Sequence, residues 1–69
     1  MRNGFNIIVD FLSENNINNM EQFVTKMPIF PKFIQEVLAH RHKDYEFSRE
    51  DMDRLFIYLM RNDKSQARA

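Results

Sequence analysis

The chain has 69 residues, of which 43% are hydrophobic and 29% charged, with ten acidic residues, ten basic residues and no cysteine. A chain of this length forms at most one small domain, and its balanced charge gives no overall field that would attract nucleic acid or an anionic membrane. These values exclude an enzyme with a deep cleft of its own, a membrane-spanning protein and a core stapled by disulfides or by zinc thiolates.

The first predicted helix covers residues 4–15. Its apolar residues recur at the i, i+3, i+4, i+7 spacing of one helix face, which we expect to be buried: Phe5, Ile8, Val9 and Leu12. The apolar run is too short and too polar for a membrane span or an export signal. A cytoplasmic protein is therefore expected.

A second helix is predicted over 19–27. Asn18 can cap its start, and Glu21 stands three residues further on, as in a capping box. The predicted buried face consists of Met20, Phe23, Val24 and Met27. Pro28 and Pro31 then separate this helix from the next, because each proline disfavours the helical conformation of the residue before it.

A third helix is predicted over 31–43, with proline at the first position, where it is well tolerated. Its apolar face is formed by Phe30, Phe33, Ile34, Val37 and Leu38. No segment alternates polar and apolar residues for long enough to predict a strand.

The clearest start signal precedes the fourth helix, predicted over 49–61. Ser48 can act as N-cap with Asp51 at N3, while Phe47 and Met52 occupy the positions of a hydrophobic staple. The predicted buried face is Met52, Leu55, Phe56, Leu59 and Met60. The pattern thus predicts an all-α fold, a compact bundle of four short helices within a single domain over 1–62. The polar tail 63–69 is expected to fray.

No catalytic, cofactor-binding or metal-binding residue is predicted. The three serines lack the glycines of a nucleophile elbow, and no glycine-rich phosphate loop is present. His40 and His42 would lie about 200° apart on a helix, so they do not form a metal-binding pair.

One basic cluster stands out: Lys32, Arg41, His42 and Lys43. It is interpreted as a patch that contacts phosphate or an acidic partner protein. The alternative is that these charges only stabilise the carboxyl end of the third helix.

Four apolar residues lie outside the main faces of the terminal helices: Ile7, Phe11, Ile57 and Tyr58. Because monomers seldom expose large apolar patches, a second apolar stripe is typical of an interface, and we expect these residues to form a homodimer. The alternative is that the other helices cover them.

The sequence predicts a small non-catalytic protein–protein interaction module, a regulator or adaptor that self-associates and binds another protein. The alternative is a small dimeric DNA-binding transcriptional regulator with helices two and three as a helix-turn-helix. The apolar Pro-Ile-Phe-Pro joint disfavours it, and only Lys32 and Gln35 could read bases there.

Overall fold

The computed structural model describes residues 2–61, and these residues are mostly helical. The elements in chain order are β1 (Arg2–Asn3), α1 (Gly4–Glu14), α2 (Met20–Lys26), a 3₁₀ turn (Met27–Ile29), α3 (Lys32–Leu38), β2 (Tyr45–Glu46) and α4 (Arg49–Arg61). The predicted all-α class, with four helices in a compact fold, is confirmed. The tail 63–69, expected to fray, lies outside the described residues.

Local side-chain and backbone hydrogen bonds define both ends of α1. Asn3 is its N-cap, and its Oδ1 accepts from the amide of Phe5 at 2.9 Å. After the helix, Asn16 adopts left-handed backbone geometry (φ 60°), which asparagine tolerates better than most residues. The amide of Ile17 then donates to the carbonyl of Leu12 at 2.8 Å, as in a Schellman motif, and Ile17 turns back into the core.

The predicted cap of α2 is wrong by one residue. Asn19, not Asn18, is the N-cap, and its Oδ1 accepts from the amide of Gln22 at 2.8 Å. In return, Oε1 of Gln22 accepts from the amide of Asn18 at 2.7 Å. Because the helix starts one residue later than predicted, Gln22 and not Glu21 occupies N3.

The predicted range 31–43 for the third helix is also wrong, since α3 ends at Leu38. His40 follows in left-handed geometry (φ 61°), and the amide of Arg41 donates to the carbonyl of Glu36 at 2.9 Å. A Schellman closure usually has glycine at the left-handed position. Because His40 occupies that position here, the sequence contains no glycine that would indicate the end of the helix.

Contacts with Phe47 hold His40 in that unusual conformation. The imidazole stacks on the Phe47 ring with 5.5 Å between centroids, and its Nδ1 is hydrogen-bonded to the Phe47 carbonyl oxygen. A residue distant from the helix in sequence therefore stabilises the helix end.

The short parallel pair β1–β2 was not predicted. Arg2 pairs with Tyr45 and Asn3 with Glu46, and the amide of Arg2 also donates to the carbonyl of Asp44 at 3.0 Å. Two residues are too few to produce a periodic signal, and the two strands are separated by α1, α2 and α3. The pair joins the start of α1 to the connection that precedes α4.

Helix α4 covers 49–61 as predicted. The amide of Asp51 donates to Oγ of Ser48, and the amide of Ser48 donates to Oδ2 of Asp51, both at 3.1 Å. This reciprocal capping box confirms the predicted start. Arg54 pairs with Asp51 at 3.3 Å, and its guanidinium lies over the Phe5 ring of α1 at 4.5 Å, which links the two terminal helices.

The core is built from all four helices and three connections, and its buried members are Ile8, Leu12, Ile17, Phe23, Phe30, Ile34, Val37, Leu38, Phe47, Leu55 and Leu59. Four residues predicted to be buried are instead exposed: Val24, Met27, Phe56 and Met60. On α4, which contacts α1 and α2, Leu55 and Leu59 are buried, while Phe56 and Met60 beside them stay exposed. No helix of the described residues is long and apolar enough to cross a membrane.

Candidate protein-binding surface

Exposed apolar side chains form a continuous sector on α4. Phe56, Ile57 and Met60 are 37%, 56% and 47% exposed, and we name these three residues the α4 apolar face. At about 100° per residue they span an arc of roughly 100° that begins next to the buried line of Leu55 and Leu59. Such an arc is as wide as the stripe that a helix normally buries.

A groove adjoins the α4 apolar face. It has a volume of about 270 Å³ and is lined by Phe23, Met27, Gln35, Leu38, Ala39, Met52 and Phe56. The Phe56 ring meets the Phe23 ring edge-on at 6.4 Å between centroids, so one aromatic side chain belongs to both the groove and the face. Methionine side chains adapt their shape to a bound apolar group, and two of them line this groove.

The structure separates the four residues predicted for self-association into two pairs. Ile57 and Tyr58 are exposed on α4, where they share a shallow depression with Arg54 and Arg61. Ile7 and Phe11 are partly buried and pack against the core. Phe11 meets the ring of Phe30 edge-on at 5.1 Å, so the second apolar stripe of α1 is partly covered within the chain.

The basic cluster also divides. Lys32 is the first residue of α3, whereas Arg41, His42 and Lys43 follow its other end. Arg41 and Lys43 are exposed. His42 is partly buried, and its ring meets the rings of Phe33 and Tyr45 edge-on at 5.3 and 5.1 Å. The histidine is thus part of an aromatic cluster, and the two neighbouring cations remain at the surface.

The fold brings Arg2 to this end of the molecule, which sequence reasoning missed. Its Nη1 donates to the Tyr45 hydroxyl at 3.2 Å, and it shares a depression with Lys43, Asp44 and Tyr45. The pairing of β1 with β2 is responsible, and no local sequence pattern signals that pairing.

The helix-turn-helix alternative relies on Lys32 and Gln35 to read bases. Gln35 is exposed, and its Nε2 donates to the carbonyl of Phe30 at 2.9 Å. Lys32 remains exposed at the start of α3.

Within 2–61, no group of three His, Asp or Glu side chains could hold a metal ion, and no polar or charged side chain is fully buried. A surface of exposed apolar residues binds by burying area, which is the chemistry of protein–protein contact.

Comparison of the chain with family models, with curated proteins and with solved structures finds no match in any of the three.

Proposed function

We propose that this protein is a small, non-catalytic protein–protein interaction module that self-associates through the α4 apolar face. Its wider role would be that of a cytoplasmic regulator or adaptor. The observation that supports the proposal is the contiguous exposure of Phe56, Ile57 and Met60 on one sector of α4. A contiguous apolar sector is disfavoured in water unless another chain covers it.

The size of the α4 apolar face determines the affinity that we expect for self-association. A 13-residue helix is about 20 Å long, and a stable interface buries about 800 Å² per partner. One such helix supplies only part of that area, so the complex is weak and forms at micromolar or higher concentration.

Binding of a further protein is proposed for two surfaces, one of which, the groove, shares Phe56 with the α4 apolar face. The adjoining groove, lined in part by Met27, Leu38 and Met52, suits apolar side chains of such a partner. Arg41 and Lys43 are the cluster residues proposed for a charged contact, since both are exposed and follow the same end of α3. Neither has an ion-pair partner among residues 2–61.

Sedimentation equilibrium of the full chain tests self-association. The wild type should exceed its monomer mass of 8.4 kDa as concentration rises, and Ile57→Glu should shift the protein toward monomer. The matched control is Ile29→Glu on the 3₁₀ turn, because Ile29 is 80% exposed and adjoins Ile17 and Phe30 rather than α4.

Two results would contradict the proposal. The first is a wild-type chain that stays at monomer mass up to about millimolar concentration, where even weak homodimers are populated. The second is a loss of association in Ile29→Glu as large as that in Ile57→Glu, which would show that added charge and not the α4 apolar face is responsible.

A further inference from the structure

The exposed side of α4 carries charge in a defined order. Residues four apart form one ridge along a helix, and on this side the ridge is Arg49, Asp53, Ile57 and Arg61. The next ridge is apolar and consists of Met52, Phe56 and Met60. Ile57 thus lies midway between Asp53 toward the amino end and Arg61 toward the carboxyl end, beside the apolar ridge.

The two charges that flank Ile57 are not used within the described chain. Among residues 2–61, neither Asp53 nor Arg61 has an ion-pair partner within 4.0 Å. Arg54, by contrast, is engaged by Asp51 and by the Phe5 ring. Asp53 and Arg61 lie about 12 Å apart along the helix axis, one on each side of Ile57.

We propose that self-association is a two-fold, antiparallel pairing of α4 with α4 of a second copy, with the symmetry axis at Ile57. This inference rests on the self-association proposed above. Ile57 of one copy packs against Ile57 of the other, and Asp53 of each copy lies beside Arg61 of the other. One surface thereby serves both copies, as closed two-fold symmetry requires.

Charge complementarity selects this orientation. A parallel pairing would place Asp53 beside Asp53 and Arg61 beside Arg61, which is repulsive at both ends. Antiparallel pairing replaces both repulsions with attractions. It also allows the ridge through Ile57 to pack between the side-chain ridges of the second copy's α4, at the crossing angle of about −50° that is common between helices.

The segment that follows α4 is not an apolar occupant for the face. Residues 62–69 contain no apolar residue larger than alanine. They cannot replace the contacts that Phe56, Ile57 and Met60 would make with a second copy.

Charge reversal tests the orientation. Asp53→Arg alone, or Arg61→Asp alone, places like charges together at both ends of the pair, and the dimer Kd should rise about tenfold. The combined variant restores opposite charges, and its Kd should return to within about threefold of wild type. Asp10→Arg is the control for Asp53→Arg, because it makes the same change in net charge at an exposed position of α1.

Cysteine trapping provides a second readout that does not depend on affinity. The chain has no cysteine, so a mixture of the Asp53→Cys and Arg61→Cys variants forms disulfides only at the introduced positions. Antiparallel pairing yields mainly the mixed species, and circular dichroism confirms that each variant is folded. A predominance of 53–53 and 61–61 disulfides would overturn the orientation.

The outcomes separate the two proposals. A wild-type chain that does not dimerise overturns both. A wild-type dimer that the single reversals leave unchanged, or that the combined variant fails to restore, overturns the antiparallel pairing and leaves self-association intact.

Discussion

At the scale of single residues, two positions show how the environment decides a role that residue type leaves open. His42 belongs to a basic run in the sequence, yet its Nδ1 accepts from the amide of Asp44 at 3.1 Å and its ring contacts two aromatic rings. No sequence pattern indicates a packing role for Gly4, yet it is buried where α1, α3 and β2 meet. A methyl group there would lie 2.9 Å from the Glu46 carbonyl oxygen and 3.0 Å from Cγ1 of Val37.

Gly4→Ala is therefore expected to destabilise the protein. Overpacking against a backbone oxygen costs about 1–3 kcal/mol, which exceeds the gain of up to about 1 kcal/mol that alanine provides in a helix. Urea denaturation measures the difference, with Asn6→Ala, at an exposed position of the same helix, as the control. A Gly4→Ala variant as stable as wild type would mean that α1 can move away from β2 without loss.

At the scale of elements, the helix starts are determined by their own caps. Three of the four helices are preceded by a side chain that accepts from an amide of the first turn, namely Asn3, Asn19 and Ser48. These bonds join residues two or three positions apart, so sequence alone can indicate them. The end of α3 is different, because His40 is held by Phe47, seven residues away.

Ser48→Ala is expected to lower the free energy of unfolding by about 0.5–2 kcal/mol, because the amide of Asp51 loses its acceptor. Chemical denaturation provides the measurement. Ser13→Ala is the matched control, since Ser13 lies inside α1, is exposed and caps no helix start. Equal stability of the two variants would show that the capping box does not hold α4 in solution.

At the scale of the whole molecule, the proposed self-association predicts that folding and association are coupled. A second copy on the α4 apolar face would bind the folded chain only and would stabilise that state by mass action. The wild-type Tm should therefore rise with protein concentration, whereas the Tm of Ile57→Glu should not. Thermal melts followed by circular dichroism over a hundredfold range of concentration test this, and a Tm independent of concentration in both proteins would argue against coupling.

The sequence by itself determined the helical class, the four helices, the boundaries of α4 and the exposure of Ile57 and Tyr58. These features follow from interactions between residues at most four positions apart, and periodicity and capping motifs record such interactions directly. The same reasoning failed at the start of α2 only by one residue, because two adjacent asparagines can serve as the cap.

Only the tertiary structure decided which apolar residues are buried. Phe56 and Met60 were assigned to the core and are exposed, whereas Phe11 was assigned to an interface and packs on Phe30. The hydrophobic pattern determines which residues share a face, but exposure depends on which elements pack against that face. This packing joins residues distant in sequence, such as Phe23 with Phe56 and β1 with β2, and it exists only once the chain has folded.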